Sequence, residues 1–424
     1  MYEENIRKDV LDNGLTILTE RIDHLRSVSL GIWLKKGSRD ESPADAGSYH
    51  FIEHMLFKGT KKRSTYEIAQ IMDSIGGFND AFTSKENTCF YAKVLDEHLP
   101  VILDIFSDIL VNPLFNGEDI ERERKVVHEE FKMVEDTPSD LVHEIFMENF
   151  WEGHPLGRPI LGTIETVNAL NSERLRTLFL ENYVPPNMVV SAAGNIDHDE
   201  LRKAIEKYFD VRRSVDQRFE AAPQHPPIPR ALTLVRSKKD LEQTHLCIGV
   251  PGHRIDHPDR YVAGVMNVIL GGSMSSRLFQ KIREEMGLCY SVFSSISSFK
   301  DSGYLSVYAG TSPETTQMAA ELIIQECKKL AHEPVSLDEL ENSKNHLKGS
   351  LILSMESSSS RMFNLARCDM TFGRQITSDE VLEGISKVTL EDVQRVGREF
   401  FDHSNYGTVV VGDLEELVVN PISA

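Results

Sequence analysis

The chain has 424 residues, enough for two or three domains at the usual size of roughly 100–200 residues each. Its 46 lysines and arginines against 66 aspartates and glutamates give a formal net charge of −20, which disfavours nucleic acids and anionic membranes as partners and favours neutral or basic ligands. Hydrophobic residues make up 40% and charged residues 26% of the chain, which excludes global disorder and is typical of a folded soluble protein.

The sequence predicts a cytoplasmic protein. No run approaches the ~18 consecutive apolar residues of a membrane-spanning helix, and the acidic N-terminal segment resembles neither a signal peptide nor a mitochondrial transit peptide. The five cysteines are widely spaced, contain no Cys-x-x-Cys pair and cannot all form disulfides, because their number is odd. Reduced thiols in a cytoplasm are therefore expected.

The first elements predicted along the chain are strands rich in apolar and β-branched residues. They are predicted over 15–18 and 28–33, because such residues in alternation are typical of half-buried, pleated backbone. Similar runs return at 89–94 and at 188–196, where the first half of the chain ends.

The first predicted helix carries the sharpest local pattern in the sequence. Ser42 is typical of a helix start and Gly59 of a position just beyond a helix end. Between them, His50 and His54 are four residues apart, so both imidazoles face one side of the helix and could bind a single zinc ion. Glu53 shares that side and could reach a water molecule bound to the metal. The alternative is a solvated pair of surface histidines.

A second helix is predicted over 116–134, because acidic residues follow Pro113 in its first turn. At about 100° per residue, the apolar side chains gather on one side of it: Ile120, Val126, Val127, Phe131 and Val134. Glu123 and Glu130 fall on the same side, and a buried carboxylate is costly unless it is paired or bound to a metal. Glu130 is therefore predicted to be the third metal ligand, and Glu123 to orient one of the histidines. The alternative is a buried arginine or lysine that pairs with both carboxylates.

The second half of the chain repeats the first at a period of roughly 210–220 residues. The corresponding runs are 15–18 with 232–235, 28–33 with 245–250, 89–94 with 303–308, and 188–196 with 407–414. The second half has no His-x-x-Glu-His around 265–276, and Ser350 stands in the place of Glu130. Only the first half is therefore predicted to bind the metal.

The proline-containing segment 212–230 is predicted to be a linker between the two halves. The expected fold is α+β, with two homologous domains over 1–211 and 231–424. Each domain should contain a mostly antiparallel or mixed sheet with helices packed on one face.

These residues together resemble the pitrilysin/insulinase family of zinc metallopeptidases. The match is the inverted zinc motif, His50-x-x-Glu53-His54, with Glu130 downstream on a second helix. The resemblance covers essentially the whole chain and is greatest for processing-peptidase-like members. It implies that the fold is half of a clamshell, and that His50, His54 and Glu130 hold one Zn²⁺ per chain.

The resemblance also implies roles for other residues. Glu53 is expected to act as general base and then as general acid. Segment 77–91 resembles the edge strand that receives the peptide, and its expected substrate-binding residues are Asn79, Asp80, Ala81, Phe82 and Thr83. In the second half, Arg283 and Tyr290 resemble a pair that engages the substrate. Tyr290 would donate a hydrogen bond to the carbonyl or oxyanion, and Arg283 would hold peptide backbone or a carboxylate.

Two positions depart from the family pattern. Asp80 stands where asparagine is usual, and an aspartate can accept hydrogen bonds but cannot donate them. Tyr49 stands where a small residue is usual and is expected to narrow the site.

The implied function is a zinc-dependent endopeptidase that cleaves peptides or unfolded segments inside a chamber. Larger family members close the chamber with four such domains, so a homodimer of this chain is expected to complete it, in a bacterial cytoplasm and without nucleic acid or membrane partners. One alternative is the catalytic subunit of a heterodimeric processing peptidase. Another is a non-enzymatic structural subunit, although such a subunit would have no need of Glu53.

Overall fold

The computed structural model describes residues 5–209, 225–402 and 406–418. Most of the predicted linker 212–230 lies outside these ranges, and its described part, 225–230, contains no helix or strand. Across the described ranges, no helix combines the length and the apolar character needed to cross a membrane.

The strands in the described ranges are β1 Ile6–Val10, β2 Thr16–Arg21, β3 Ser27–Leu34, β4 Phe78–Thr83, β5 Thr88–Leu95, β6 Met188–Gly194, β7 Leu232–Ser237, β8 Thr244–Gly252, β9 Cys289–Ser298, β10 Gly303–Thr311 and β11 Gly407–Gly412. The α-helices are α1 Ser48–Leu56, α2 Thr65–Ser74, α3 Leu99–Val111, α4 Gly117–Glu135, α5 Pro138–Phe150, α6 Ile164–Ala169, α7 Ser172–Asn182, α8 His198–Tyr208, α9 Arg260–Leu270, α10 Thr316–His332, α11 Leu337–Ser354, α12 Ser358–Phe372, α13 Ser378–Ser386 and α14 Leu390–Phe401.

The chain divides into two compact units, and each unit contains one sheet. The first unit consists of Met1–Phe131, Arg158–Pro223 and Ser354–Thr377, and the second of Lys132–Gly157, Gln224–Leu353 and Ser378–Ala424. The units therefore depart from a simple division into 1–211 and 231–424. Helix α5 belongs to the second unit, and helix α12 belongs to the first.

The two sheets have the same topology, which confirms the internal repeat. The first sheet has the order β1-β2-β6-β3-β5-β4 and the second has the order β7-β11-β8-β10-β9. In each sheet the first strand of the repeat pairs in parallel with the last, as β2 with β6 and β7 with β11, and the other pairs are antiparallel. Strand β1 is an addition at the edge of the first sheet. The α+β fold with two homologous sheets is thus confirmed.

Both faces of the first sheet are buried. Successive residues of a strand point to opposite faces, so Ile17 enters the main core with α1 and α3, whereas Leu18 enters a smaller core under α12. That smaller core contains Leu18, Trp33, Cys89, Val189, Ala193, Met362, Leu365 and Ala366. A buried ion pair between Glu20 and Arg361 also joins α12 to β2. Most helices of the unit thus lie on one face, and α12 covers the other.

The second sheet is covered in the same way. Its main core lies against α9, α10 and α14, and α5 packs on the opposite face. Gly249 on β8 permits this contact, because a Cβ at that position would lie 2.3 Å from the ring of Phe146 on α5. Each sheet therefore receives one helix encoded in the other half of the chain.

Candidate metal centre

The helix that carries the two histidines begins at Ser48. The predicted start at Ser42 was wrong, because Gly47 interrupts the chain with a φ of 90°, in the left-handed region that favours glycine. A Cβ at Gly47 would lie only 2.4 Å from the carbonyl oxygen of Leu161. Ser42 precedes a separate short 3₁₀ turn, Pro43–Asp45, instead.

The structure brings together the three residues predicted as metal ligands. One ligand atom from each of His50, His54 and Glu130 lies within 4.8 Å of the others. Nε2 of His50 is 3.6 Å from Oε2 of Glu130, and Nε2 of His54 is 3.5 Å from its Oε1. Ligands of a tetrahedral zinc ion, each 2.0–2.2 Å from the metal, stand roughly 3.3–3.6 Å from one another. The spacing fits a metal ion bound by all three.

An unpartnered carboxylate oxygen of Glu130 also supports a metal-binding role for this cluster. Oε2 of Glu130 is buried and has no hydrogen-bond partner in the described part of the chain, a costly state for a carboxylate oxygen. Burial raises the pKa of Glu130, although nearby His54 opposes this. Burial and the neighbouring His54 lower the pKa of His50 to about 3, so its imidazole is neutral and available as a ligand at neutral pH.

Glu123 contacts His54 on the side away from Glu130. Nδ1 of His54 lies 3.2 Å from Oε2 of Glu123, which leaves Nε2 facing Glu130. Lys58 lies 2.6 Å from the other oxygen of Glu123. Burial alone would raise the pKa of Glu123, but the bonds to His54 and Lys58 hold it below its usual value. The alternative of a lysine partner thus applies to Glu123, whereas Glu130 faces the two histidines.

Glu53 is a buried carboxyl beside the histidines. The hydroxyl of Thr83 donates a hydrogen bond of 2.5 Å to its Oε2. Burial raises the pKa of Glu53 to about 7, against the opposing effects of Thr83 and His54. A carboxyl with a pKa near neutrality can both accept and release a proton under physiological conditions.

The residues predicted to bind the peptide lie on β4, an edge strand of the first sheet. Its outer edge has no strand partner among the described strands. Helix α1 contacts residues of this strand. Asn79, Ala81 and Thr83 share one face of β4, and Asp80 and Phe82 share the other. Asp80 accepts a hydrogen bond from the Tyr91 hydroxyl at 3.3 Å.

Tyr49 does not line the site as expected. Its side chain is only 5% exposed and belongs to the main core of the first unit. The position on α1 that follows Ser48 points into that core, so a large aromatic side chain is accommodated there. On α4, Val126 is exposed rather than buried with the other apolar residues, because it lies at the margin of the helix's apolar side.

Arg283 and Tyr290 lie together in the second unit. Arg283 belongs to a π-helical segment, Phe279–Glu285, and its guanidinium carbon is 5.0 Å from the ring centroid of Tyr290. The guanidinium also lies 4.6 Å from the ring centroid of Phe279. Tyr290 is 78% exposed near the start of β9. The pair is therefore accessible, and its role toward a substrate stays a prediction.

Sequence reasoning missed Lys58 and the bond between Thr83 and Glu53. Lys58 lies four residues after His54, so the same helical spacing that joined the histidines could have indicated it. The Thr83 contact has no such signal, because it joins α1 to a strand far along the chain.

Two histidines, a half-buried glutamate and an adjacent carboxyl with a pKa near 7 are typical of the metallohydrolase class. Residues 16–164 match the family described as insulinase (peptidase family M16), and residues 169–347 match the peptidase M16 inactive domain. A protein of Bacillus subtilis named a zinc protease is 42% identical, over 93% of this chain and 96% of its own length. One of Streptomyces coelicolor with the same description is 39% identical, over 93% and 87%. The chain belongs to the insulinase family of peptidases, family M16.

Solved structures agree in fold. The crystal structure of a protease from Helicobacter pylori matches with a TM-score of 0.90 and 21% identity, over 96% of this chain and 99% of the other. A peptidase M16 inactive domain from Pseudomonas fluorescens matches with a TM-score of 0.88 and 18% identity, over 99% and 100%. Because one of these is described as inactive, the fold alone does not establish activity.

Proposed function

We propose that this protein is a zinc-dependent endopeptidase that cleaves peptides or unfolded segments. The observation that carries the proposal is the convergence of His50, His54 and Glu130 beside a second, buried carboxyl, that of Glu53. The relatives named zinc proteases support zinc as the metal. One ion per chain corresponds to the one group of three metal-ligating residues found within residues 5–209, 225–402 and 406–418.

The chain's own residues account for binding and proton transfer. Nε2 of each histidine and a carboxylate oxygen of Glu130 would hold the ion. When bound, zinc would polarise the scissile carbonyl and acidify a water molecule. Glu53 would accept the proton of that water at Oε1, because Thr83 occupies Oε2, and then deliver it to the leaving amine.

The free edge of β4 would bind the substrate as an added strand. Main-chain hydrogen bonds to Asn79–Thr83 would provide affinity with limited sequence preference. Thr83 ends this strand and touches Glu53, so a peptide on the edge would run toward the proton-exchanging carboxyl. Arg283 would bind peptide backbone or a carboxylate, and Tyr290 would donate a hydrogen bond to the substrate carbonyl.

Digestion of peptides with and without a chelator tests the function. Extended peptides should be cleaved and a stable folded domain spared, chelation should abolish cleavage, and added zinc should restore it. The products would be identified by mass spectrometry. Cleavage that continues in the metal-free protein would contradict the proposal. Rapid cutting inside a folded helix would contradict the expectation that cleavage takes place inside a chamber.

Replacing Glu123 with glutamine should weaken zinc binding without abolishing it. Residues that orient a metal ligand typically contribute about 10–100-fold to affinity. The measurement is competition with a chromophoric chelator. Glu121→Gln is the matched control, because Glu121 is exposed on the same helix and pairs with Arg124. Equal affinities of the two variants would show that Glu123 does not support His54.

We further propose a homodimer in which Arg283 and Tyr290 of one protomer serve the Glu53 site of its partner. Glu53→Gln and Arg283→Ala, each inactive alone, should then complement when their subunits exchange. Random exchange makes about half of the dimers mixed, with one intact site in each, so activity should recover to roughly a quarter of wild type. No recovery after verified exchange would exclude the shared site. A monomeric, inactive chain would instead favour a heterodimeric processing peptidase.

We place the protein in the bacterial cytoplasm, where thiols stay reduced. All five cysteines are unpaired, and four of them are buried. The net charge of −20 favours basic peptides as substrates through long-range attraction.

A further inference from the structure

Glu41, a buried residue outside the metal centre, caps the start of α1, the helix that carries His50 and His54. Glu41 is 7% exposed. Its Oε2 accepts the N–H of Gly47 at 2.9 Å, and its Oε1 accepts the N–H of Tyr49 at 2.8 Å and the hydroxyl of Ser48 at 3.3 Å. Gly47, the residue at the N-cap position of α1, has no side chain to satisfy these N–H groups. Glu41 therefore supplies the cap that Gly47 cannot provide.

The segment that contains Glu41 also holds the end of β4. The N–H of Ser38 donates to the carbonyl of Ser84 at 3.0 Å, and the N–H of Arg39 donates to that of Lys85 at 2.9 Å. The side chain of Arg39 forms a nearly buried ion pair with Glu86 at 2.5 Å. Residues 84–86 directly follow β4. Segment 37–41 therefore contacts the turn that follows β4 at one end and α1 at the other.

Arg158 closes the same arrangement. Its guanidinium donates to the backbone carbonyl of Glu41 at 2.7 Å, and its own carbonyl accepts from the Lys85 ammonium at 2.5 Å. Burial raises the pKa of Glu41 to about 8, opposed by the bonds from the helix and by Arg158. A carboxylate in such a place is costly to bury. If this loop did not have to hold α1 in place, an apolar residue at position 41 would avoid that cost.

We propose that Glu41 is a positioning residue that fixes α1 relative to β4, and so aligns a bound peptide with Glu53 and the metal ligands. The inference rests on the proposed function and adds a residue to it. Glu41 touches neither the ligand atoms nor the peptide edge. Its loss should leave peptide binding nearly intact and impair the chemical step, because displacing reacting groups by about 1 Å can cost 10²-fold in rate.

Glu41→Ala tests the proposal against Asp197→Ala, measured beside the wild type. Asp197 is a matched control, because its carboxylate caps α8 of the same unit by accepting the N–H of Glu200, and α8 carries no site residue. Glu41→Ala should lower kcat by about 10–100-fold with less than a threefold change in KM. The absorption spectrum of the cobalt-substituted protein should change as well, because its bands report the arrangement of His50, His54 and Glu130. Asp197→Ala should change neither kcat nor the spectrum.

Glu41→Gln separates positioning from simple instability. Glutamine keeps one acceptor oxygen for α1, so the kcat of Glu41→Gln should fall between those of the wild type and Glu41→Ala. If Glu41→Ala does not fold, Glu41→Gln is the variant that tests the proposal. Wild-type kcat and spectrum in folded Glu41 variants, or an equal loss in Asp197→Ala, would overturn the inference alone. A wild type with neither bound metal nor peptidase activity would overturn the proposed function together with the inference.

Discussion

Replacing Glu53 with glutamine should abolish peptide cleavage while leaving zinc bound. Glutamine has nearly the same shape and can still accept the hydroxyl of Thr83, but it cannot take up a proton at neutral pH. General acid–base catalysis typically contributes 10²–10⁴-fold, so kcat should fall by about that factor. Steady-state kinetics and the zinc content of the purified variant check the two parts of this result.

Glu118→Gln is the control for that change, since Glu118 is exposed near the start of α4. It should retain both zinc and wild-type turnover. Near-normal turnover in Glu53→Gln would show that another group moves the proton. Loss of zinc in Glu53→Gln would instead place Glu53 among the groups that hold the metal.

Replacing Glu130 with glutamine should remove the metal itself. The carboxylate is the single charged group of the three ligands, and its neighbours His50 and His54 would remain as a two-ligand site. Zinc affinity should fall by more than about 100-fold, beyond the 10–100-fold typical of residues that only orient a ligand. Zinc content should fall from one ion per chain to near zero after dialysis, and activity should fall with it.

Glu129→Gln, at the next position on α4 but exposed, should behave as the wild type. Excess zinc should partly restore the activity of Glu130→Gln and should not restore that of Glu53→Gln. A Glu130→Gln protein that keeps one zinc ion through dialysis would exclude Glu130 as a ligand. The two substitutions together distinguish metal binding from proton transfer.

Helical spacing made the centre of the site predictable. His50 and His54 on one helix, and Glu123 and Glu130 on another, are separations of about one and two turns, so each pair had to share a side. Two carboxylates on a mostly apolar side needed polar or charged partners, and the structure supplies His50, His54 and Lys58. The roles of these residues in catalysis stay predictions until the variants are measured.

The likeness of the two sheets followed from the repeat for a similar reason. Corresponding runs of apolar residues fold alike because each must pair and bury the same faces, so β2 to β6 and β7 to β11 form the same sheet twice. By contrast, the start of α1 depends on Gly47 passing close to Leu161, a contact between distant parts of the chain. Glu41 escaped notice because its bonds to α1 cross a turn that the sequence pattern did not reveal.

The periodicity of an amphipathic helix also does not predict which sheet the helix packs against. The apolar side of α12 predicts burial, but nothing in the order of its residues says that Leu365 lies in the first unit rather than the second. The same is true of Phe146 on α5. The sheet face against which each helix packs is built from residues far away in the sequence.

The placement of α12 in the first unit has a consequence for synthesis on the ribosome. Strands β1 to β6 emerge first, yet the face that carries Leu18, Trp33 and Val189 cannot be covered until Met362 and Leu365 have been translated. At 5–20 residues per second, the delay is roughly 10–35 seconds. During that time the nascent chain presents an apolar sheet face to solvent, so we expect general chaperones to bind it. A chain terminated after residue 211 should aggregate rather than fold as an independent domain.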